Sequence, residues 1–577
     1  MAGASGCKAR NPDTRRSLEA GEVGCQAASS IICILLWENH VVVIRANAVF
    51  TFSFFIHFGK GFALGNIENT SRNDGGGASL SRAQGGFVSH VFMLITGNGV
   101  AQAINAAGAL CVARLVAPDA FGMFALFVAV VSLVAVLGGG RYELGIMLPD
   151  DDEEAANILT LSTLVLLGIA AFSVIAVGVF HERLGHLLGD SQLSHWLWSM
   201  PLALFVIGFY QVLSYWSGRM KRFRDMATSR VYQALGILAG QLLSLTLHES
   251  GGVALVGGWI FGQSIGMLYL LVQILRNEGV FLAQAHDWSV IRESFSKYKN
   301  FPLYKAPYSF ISNSSAQLVP MILQLFAGLD VVGFYSMASR AVYLPVGLIA
   351  SPMNQVFYEK AATELRYGRM EQFVTRMLRV QIVLATPVLV LIAFDVKALF
   401  GFFLGSRWAA AGVYAAILAW IGYLSFLTSW LDRLFDVRGR QRLSLVLATA
   451  GNAIAIAGLF LALWYTRDTV LAVSAYAGLQ VLYMGIWLCF AYRVAQFRLR
   501  SLVVLAKDAL LAAVLAVTVI GAIHVALPLW LAVVLSAMAV LLMECIYFFR
   551  YVPRRAFVST AVRIRNFWTE RPNADEV

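Results

Sequence analysis

Charged residues are scarce in this sequence, and their scarcity excludes most soluble folds. Only 13% of the 577 residues are charged, whereas 59% are hydrophobic. A soluble globular domain carries about 25% charged residues, which supply the polar surface that faces water. In a lipid bilayer, by contrast, a helix satisfies its own backbone hydrogen bonds and crosses with roughly 20 apolar residues. The composition therefore predicts an all-α, polytopic transmembrane helical bundle.

Cysteine is also rare, and the six cysteines form no CxxC or metal-type spacing. Three of them, Cys111, Cys489 and Cys545, lie within apolar runs. Small side chains packed in a core explain this placement better than redox or metal-binding roles do. The sequence accordingly predicts no metal site and no cofactor.

Apolar segments of helical length recur regularly from Phe87 onward. We predict about fourteen spans, each of roughly 20 residues. They lie near 87–113, 120–140, 157–180, 198–217, 228–247, 252–275, 306–327, 331–355, 377–400, 409–431, 443–465, 468–492, 504–526 and 528–549. In this division, residues 87–290 form an N-lobe of six spans and 291–497 a C-lobe of six. An additional helix pair covers 498–550, and a basic cytoplasmic tail covers 551–577.

The first 86 residues do not share this regular pattern. Their apolar stretch, from Ile31 to Phe62, is interrupted by charged and polar residues. No small-residue cleavage site follows a clean apolar core, so a signal peptide is not predicted. We interpret residues 1–86 as a poorly structured N-terminal extension, either dispensable or wrongly assigned to the chain. A segment that lies at the membrane interface is the alternative.

Lysine and arginine are unevenly distributed between the predicted loops. If the first span begins in the cytoplasm, the outside loops contain only Arg114, Arg183, Arg407 and Arg467. This asymmetry satisfies the positive-inside rule and places both ends of the transmembrane part in the cytoplasm. The net charge of +11 therefore reflects membrane topology, and no nucleic-acid partner is predicted.

Two turns of similar sequence indicate an internal repeat. Pro-Asp-Ala-Phe-Gly-Met-Phe (118–124) follows the first span, and Leu-Asp-Val-Val-Gly-Phe-Tyr (329–335) follows the seventh. Both contain Asp-x-x-Gly and then two bulky residues, with the glycines at Gly122 and Gly333. Their equal placement favours duplication of a six-helix unit, as in transporters built from parallel repeats. Such a repeat predicts a central cavity lined by the leading helix of each half.

Polar residues form a stripe on each of these leading spans. Gln102 and Asn105 share one helix face in span one, as Asn313 and Gln317 do in span seven. Polar side chains are costly in hydrocarbon. They either line a cavity or join neighbouring helices through hydrogen bonds, and the sequence leaves both interpretations open. All four are candidate substrate-binding residues.

Arg340 is the sharpest functional candidate. It lies within span eight, where a guanidinium keeps its charge and must meet a carboxylate, water or an anionic ligand. A phosphate suits it well, because the planar fork donates two parallel hydrogen bonds. The alternative is a structural pair with a buried acid or with carbonyl groups.

Arg141 is a second cationic candidate, at the predicted inner end of span two. It follows Gly138-Gly139-Gly140, a triplet that favours a helix break or close packing. No strand precedes the triplet and no Gly-Lys-Ser/Thr follows it, which excludes a nucleotide-binding phosphate loop. The acidic run Asp150–Glu154 is either a gate that pairs with basic loops or a solvated helix start.

Lys305 and Tyr308 complete the candidate set. Both lie in the linker 297–308 between the two halves. Basic and aromatic residues there suit an anionic, sugar-bearing headgroup at the inner leaflet, or equally an amphipathic segment that anchors at the interface.

Four segments resemble bacterial polysaccharide-transporter proteins. They are 113–126, with Ala-Arg-Leu-Val-Ala-Pro-Asp-Ala-Phe-Gly, 139–149, with Gly-Gly-Arg-Tyr-Glu-Leu-Gly, 300–307, with Asn-Phe-Pro-Leu-Tyr-Lys-Ala-Pro, and 333–345, which contains Arg340. Over roughly 87–500 the chain is similar to the O-antigen and exopolysaccharide flippases of the multidrug/oligosaccharidyl-lipid/polysaccharide exporter superfamily.

The resemblance implies a two-lobed bundle in the bacterial inner membrane. Such a bundle flips an undecaprenyl-diphosphate-linked oligosaccharide outward by alternating access. It also implies membrane lipids, a polysaccharide polymerase and export machinery as partners. The last two predicted spans are similar to those of the lipid II flippases, which are associated with the lipid tail. Members of the family do not require the first 86 residues, and many stop after twelve spans.

Two alternatives lack the residues that they would need. A drug/cation antiporter of the same superfamily couples through a carboxylate in the bundle, and span one contains no acid. A membrane-embedded glycan polymerase would need a catalytic cluster in a large outer loop, and the predicted outside loops are short. His181, His186 and His195 share one such loop with only Glu182 and Asp190. The sequence therefore predicts a transporter and not an enzyme.

Overall fold

The computed structural model describes residues 97–187, 196–247, 251–366, 369–432, 434–435 and 438–551. Within these ranges the regular structure is helical throughout. The predicted extension over 1–86 and residues 552–577 of the predicted tail lie outside them. Residues Asn73–Glu544 form one compact unit. Of the second unit, Met1–Arg72 with Cys545–Val577, the structure describes only residues 545–551.

The described residues form fifteen helices of eight residues or more, in the following order. They are α1 (97–115), α2 (Pro118–Ala135), α3 (Asp152–Leu187), α4 (Met200–Arg219), α5 (Phe223–Leu247), α6 (Gly251–Gln284), α7 (Trp288–Lys297), α8 (Ala306–Ala327), α9 (Leu329–Arg366), α10 (Met370–Leu404), α11 (Ala409–Thr428), α12 (Gln441–Thr466), α13 (Thr469–Val494), α14 (Arg500–Ala526) and α15 (Leu529–Tyr551). Short helical turns cover Tyr142–Met147, Phe301–Lys305 and Ser406–Trp408.

The described part of every predicted span falls on one of the long helices; residues 87–96 of the first span lie outside the described residues. Helix α7 is an additional short helix in the connection before α8. Ten of the described helices are long and apolar enough to cross a membrane. These findings confirm a multi-pass helical membrane protein; the number of crossings stays a prediction. Helices α8 and α9 are not among the ten, because polar and charged residues interrupt their apolar sequence.

Helix α2 lies at the centre of the compact unit, whereas α12 lies at its surface. In α2, 61% of the residues of the membrane-length window are buried by protein, compared with 11% in α12. A helix that is apolar on all sides is buried in protein or faces lipid. The first case applies to α2, which packs on α6, α8 and α9, and the second to α12.

The two Asp-x-x-Gly motifs meet where α2 crosses α9. A Cβ atom on Gly122 would overlap the carbonyl of Leu329, and a Cβ atom on Gly333 would overlap the carbonyl of Pro118. The backbones are therefore in direct contact at this point, which only a residue without a side chain permits. Pro118 and Leu329 hold equivalent positions in the two motifs, so the contact is symmetric with respect to the predicted repeat.

The glycine triplet ends α2, as its sequence predicts. The helix stops at Ala135, and tight turns follow through the bonds from Gly138 N–H to Ala135 C=O and from Gly140 N–H to Leu137 C=O. Gly140 has φ +58° and Arg141 has φ +64°, both in the left-handed region. That region is costly for a residue with a side chain, so Arg141 marks local strain.

The C-terminal helices α14 and α15 pack against α10. Val390 of α10, Ala516 and Ile520 of α14 and Val540 of α15 form one buried apolar cluster. Arg379 of α10 donates to Asp508 of α14 at 2.7 Å. Near the other end, His524 Nε2 lies 2.8 Å from Oδ1 of the fully buried Asp395. A salt bridge near one end and a hydrogen bond near the other thus attach α14 to α10.

Candidate functional site

The predicted site residues lie near both ends of α2. Arg141 follows the end of α2, whereas Arg340 contacts its first turns. We call the side where α2 ends the basic side, because Arg219 and Lys297 lie there. The side where α2 begins is called the far side. The candidate set therefore belongs to two sites.

On the far side, Arg340 lies against two aromatic rings. Its Cζ lies 5.0 Å from the ring centroid of Phe121 and 5.2 Å from that of Phe124. Both rings are buried, while Arg340 is exposed. The rings stand one helical turn apart on α2, immediately beside the crossing at Gly122. A cation–π contact of this kind contributes about 0.5–2 kcal/mol and holds the guanidinium beside the rings.

Within the part of the chain that the structure describes, no carboxylate forms an ion pair with Arg340. A structural ion pair of Arg340 with a buried acid, one of the two predicted alternatives, is therefore not found among those residues. A guanidinium that is held by aromatic rings and not by a carboxylate keeps N–H groups available for a ligand. The arrangement is chemically suited to bidentate binding of a phosphate.

The polar stripe residues differ in exposure. Asn105 and Asn313 are exposed, and Gln102 and Gln317 are half-buried. Asn313 donates to the Ser309 carbonyl of its own helix at 2.8 Å. Its remaining hydrogen-bonding groups stay on the exposed surface of α8.

Polar residues that join helices have a different pattern. Gln480 of α13 is buried and donates to Asn452 Oδ1 of α12 at 2.8 Å. Asn313, by contrast, is exposed and bonds to its own helix. This pattern is more typical of a residue that lines a cavity than of one that joins two helices. Its role in substrate binding, like that of Gln102, Asn105 and Gln317, stays a prediction.

Several contacts on the far side join α1 and α2 to α9, α10 and the start of α11. The wholly buried Trp408 donates to the Ala113 carbonyl at 2.7 Å. Its ring packs edge-on against Phe121 and Phe334. Arg114 donates to the carbonyls of Phe403 and Phe402 at 2.7 and 2.8 Å, at the end of α10. A cation there complements the partial negative charge of a helix C-terminus.

On the basic side, Arg141 forms a long ion pair with Glu143. Arg141 Nη1 lies 3.5 Å from Glu143 Oε1, and the Glu143 side chain is 4% exposed. Gln211 of α4 lies 3.5 Å from the same oxygen. Burial raises the pKa of Glu143 above its ordinary value, and the charge of Arg141 opposes that shift. Arg141 is therefore held by an acid, unlike Arg340.

The acidic run forms ion pairs with basic residues of neighbouring helices. Asp152 pairs with Arg219 of α4 at 2.7 Å, and Arg219 also donates to the carbonyls of Ile146 and Pro149. Glu154 accepts from Lys297 of α7 at 2.6 Å, and this hydrogen bond raises the pKa of Lys297. The interpretation of the run as a purely solvated helix start is thus incomplete.

The linker approaches the Arg141 segment. A Cβ on Gly145 would lie 3.7 Å from the Phe301 ring and 3.8 Å from the Tyr298 ring. Phe301 begins the turn that ends at Lys305, whose Nζ lies 5.2 Å from the Tyr308 ring centroid. Lys305 and Tyr308 are both exposed. Arg141, Lys305 and Tyr308 therefore belong to the basic side.

A cavity of about 650 Å³ opens on the same side between α3, α6 and α7. Its charged lining is mainly acidic, with Asp151, Glu153, Glu154, Asp287 and Glu293. Among the described residues, no cluster of His, Cys, Asp or Glu could hold a metal ion. This cavity does not suit an anionic substrate.

Residues 111–412 match the family of polysaccharide biosynthesis proteins. The chain belongs to this family. It is also 24% identical, over 317 residues, to the "Succinoglycan biosynthesis transport protein ExoT" of Rhizobium meliloti (strain 1021). That match covers 53% of this chain and 60% of the relative. The predicted resemblance to polysaccharide transporters is thus confirmed.

Solved structures show the same fold. The "Lipid II flippase MurJ, inward closed conformation" aligns with a TM-score of 0.61 at 13% identity, over 82% of this chain and 99% of its own. A "multidrug resistance MATE family transporter of the MOP superfamily" in the inward-facing conformation aligns with a TM-score of 0.52 at 13% identity. It covers 68% of this chain and 95% of its own. These matches confirm the predicted fold class.

Sequence reasoning missed the two rings that position Arg340. Phe121 lies inside the first Asp-x-x-Gly motif and Phe124 two positions after it, so the segment that carried the family resemblance also contained these rings. The contact itself joins residues more than two hundred positions apart, and helix periodicity contains no information about such partners. Trp408 was missed for the same reason.

Proposed function

We propose that the protein flips a polyprenyl-diphosphate-linked oligosaccharide from the cytoplasmic to the outer leaflet of a bacterial inner membrane by alternating access. Arg340 carries the proposal: its guanidinium is oriented by Phe121 and Phe124, and no described carboxylate neutralises it. A diphosphate is the ligand class that such a group binds best. Membership of the polysaccharide biosynthesis family supports a glycan-bearing lipid as the substrate.

The charge distribution supports the direction of transport. The basic side is assigned to the cytoplasm by the positive-inside rule, which makes the far side the outer face. Contacts through Trp408, Arg114 and the Gly122–Gly333 crossing join the helices at that outer face. In this arrangement the substrate would enter from the cytoplasm. A membrane potential that is negative inside favours outward movement of an anion by about 2.3 kcal/mol per charge per 100 mV.

The two sites suggest an order of events. Lys305 and Tyr308 are exposed on the cytoplasmic side, where they would meet the diphosphate first. Arg340 would bind it deeper, with the polar residues of α1 and α8 facing the sugars. The predicted lobes, 87–290 and 291–497, would move relative to each other, while α14 and α15 would accompany the lipid tail. No covalent step is proposed, so the protein would be a transporter and not an enzyme.

A transport assay tests the role of Arg340. Proteoliposomes that contain the full chain and a labelled undecaprenyl-diphosphate oligosaccharide are treated with an impermeant glycosidase, which acts only on label in the exposed leaflet. Loss of charge-assisted hydrogen bonds worth about 1.5–3 kcal/mol should slow Arg340→Gln roughly 10- to 100-fold. Arg407→Ala, which removes an exposed arginine near the far side, is the matched control. Wild-type rates in folded Arg340→Gln would refute the proposed role.

A further inference from the structure

The ion pair of Arg141 and Glu143 leaves polar atoms of both partners unsatisfied. The two groups meet at 3.5 Å, the upper limit of a hydrogen bond. Within the described chain, Glu143 Oε2 and Arg141 Nε are buried and have no hydrogen-bond partner. A buried charge normally gains several hydrogen bonds, because its desolvation is otherwise not compensated. This pair is therefore suited to exchange partners.

The local sequence creates this arrangement. A Cβ on Gly139 would lie 2.5 Å from Glu143 Oε2, so the carboxylate occupies space that any other residue would fill. Arg141 adopts a left-handed backbone conformation at φ +64°, which normally favours glycine. Strain of this kind persists only where the surrounding structure imposes it, and it concentrates at functional sites. The turn that accommodates the Glu143 side chain is therefore strained at Arg141.

Few ionisable groups face the Glu143 carboxylate. Among the described residues, Arg141 of its own segment acts on it, and Tyr215 of α4 is close enough to interact with it electrostatically. Helix α3 presents apolar Val165 and Leu166 to the adjacent glycines. Burial raises the pKa of Glu143, and Arg141 supplies the opposing positive charge. Without Arg141, the preference of this acid for a proton would become stronger.

The segment that contains Arg141 also contacts the region where the substrate would enter. Its segment packs on Tyr298 and Phe301 of the linker, which continues to the exposed Lys305 and Tyr308. A diphosphate bound at the linker would attract the guanidinium, whose hydrogen bond to Glu143 is weak by distance.

We propose that Glu143 is a proton-binding site, which takes up a proton when Arg141 turns from its carboxylate to the diphosphate of the substrate. The proposal rests on the proposed function, since it requires an anionic lipid substrate. Binding of the lipid and binding of the proton then favour each other by the same factor. Affinity for the diphosphate rises as pH falls, and the proton offsets one of the negative charges that enter the protein.

Isothermal titration calorimetry on the detergent-solubilised full chain tests this linkage. Undecaprenyl diphosphate is titrated in two buffers with different enthalpies of ionisation, and the difference in heat gives the protons taken up. The wild type should take up as much as about one proton per lipid bound, depending on pH. Glu143→Gln should bind with no such uptake. Glu153→Gln, which changes an exposed carboxylate of the nearby acidic run, should behave like the wild type.

A second variant and a second measurement keep the test decisive. Arg141→Gln should also lose the linkage, although Glu143 is still present, because no charge leaves the carboxylate on binding. Difference infrared spectra of the wild type should show a new protonated-carboxyl band when undecaprenyl diphosphate is added. Equal proton uptake by the wild type and Glu143→Gln would overturn the linkage while leaving the flippase proposal intact. Absence of lipid binding by the wild type would overturn both.

Discussion

The indole nitrogen of Trp408 donates a hydrogen bond to the carbonyl oxygen of Ala113 at 2.7 Å, and so joins the turn before α11 to the end of α1. The same ring packs against Phe121 of α2 and Phe334 of α9. One buried side chain therefore contacts helices of both predicted lobes. These contacts lie on the far side, so a substitution of Trp408 should weaken the closure of that face.

Trp408→Phe should open the far side more often. The substitution keeps an aromatic ring but leaves the buried Ala113 carbonyl without its donor, at a cost of about 1–3 kcal/mol. Hydrogen exchange of the backbone amides in residues 113–124 should become faster. Trp420→Phe, on the exposed surface of α11, is the control and should leave these amides unchanged. Unaltered exchange in Trp408→Phe would show that this bond does not contribute to closure.

Gly122→Ala and Gly333→Ala should each separate α2 from α9. Their added methyl groups would overlap backbone carbonyls, which cannot turn away as a flexible side chain can. Overpacking of this kind costs about 1–3 kcal/mol. The thermal midpoint in detergent should fall, and exchange near the crossing should rise. Gly347→Ala lies on the same helix α9, where a new Cβ meets nothing within 4 Å; if it lowered the midpoint equally, the crossing would have no special role.

Phe124→Leu should weaken substrate binding by Arg340 without removing the charge. Leucine fills most of the volume but supplies no ring quadrupole, so about 0.5–2 kcal/mol of cation–π stabilisation is lost. The half-saturating concentration of lipid in the transport assay should increase. Phe172→Leu changes an exposed ring on α3 and should have no such effect. If the half-saturating lipid concentration of Phe124→Leu equals that of the wild type, the contact with Phe124 does not assist substrate binding by Arg340.

The stability of the protein should fall as pH rises because of Glu143. Since burial raises the pKa of this acid, the folded state binds its proton more tightly than the unfolded state does. The contribution is complete below the unfolded value of about 4.3 and is lost as pH rises through the folded pKa. Thermal midpoints measured across this range should be less dependent on pH in Glu143→Gln than in the wild type. Identical pH profiles of the two proteins would argue against a buried, proton-binding Glu143.

His524→Leu should destabilise the attachment of α14 to α10. It leaves the fully buried Asp395 without the partner that lies 2.8 Å away. Leaving a buried hydrogen-bonding group without its partner costs about 1–3 kcal/mol, whereas replacing both partners by apolar residues is often nearly neutral. The double variant Asp395→Leu/His524→Leu should therefore recover much of the thermal stability. Additive losses in the double variant would mean that the two residues act independently.

The helices could be predicted from sequence, whereas most of the candidate site could not. A bilayer imposes length and apolarity on each span, so the positions of α12 and α13 follow from local composition. The end of α2 after Ala135 can also be predicted from local sequence, because the glycine triplet follows closely. Arg340 was found because a charge within a span is costly wherever it packs. Its aromatic partners were not, since they depend on how distant helices meet.

The pair of His524 and Asp395 illustrates the same limit. The two residues are separated by 129 positions, and each is an ordinary polar interruption of an apolar helix when read alone. Glu143 was noticed beside Arg141, but its burial depends on the space that Gly139 leaves and on the neighbouring α4. Such properties arise only when the helices pack.

The crossing of α2 and α9 has a consequence for the origin of the chain. Gly122 meets Leu329 and Gly333 meets Pro118, so equivalent positions of the two Asp-x-x-Gly motifs meet reciprocally. Such a contact is isologous in form, like the interface of a two-fold symmetric homodimer. If the predicted repeat arose by duplication, an ancestral six-helix protein would have needed only one glycine to close against a second copy of itself. In the present chain the two glycines can mutate separately, yet the shared backbone contact requires both positions to remain without a side chain.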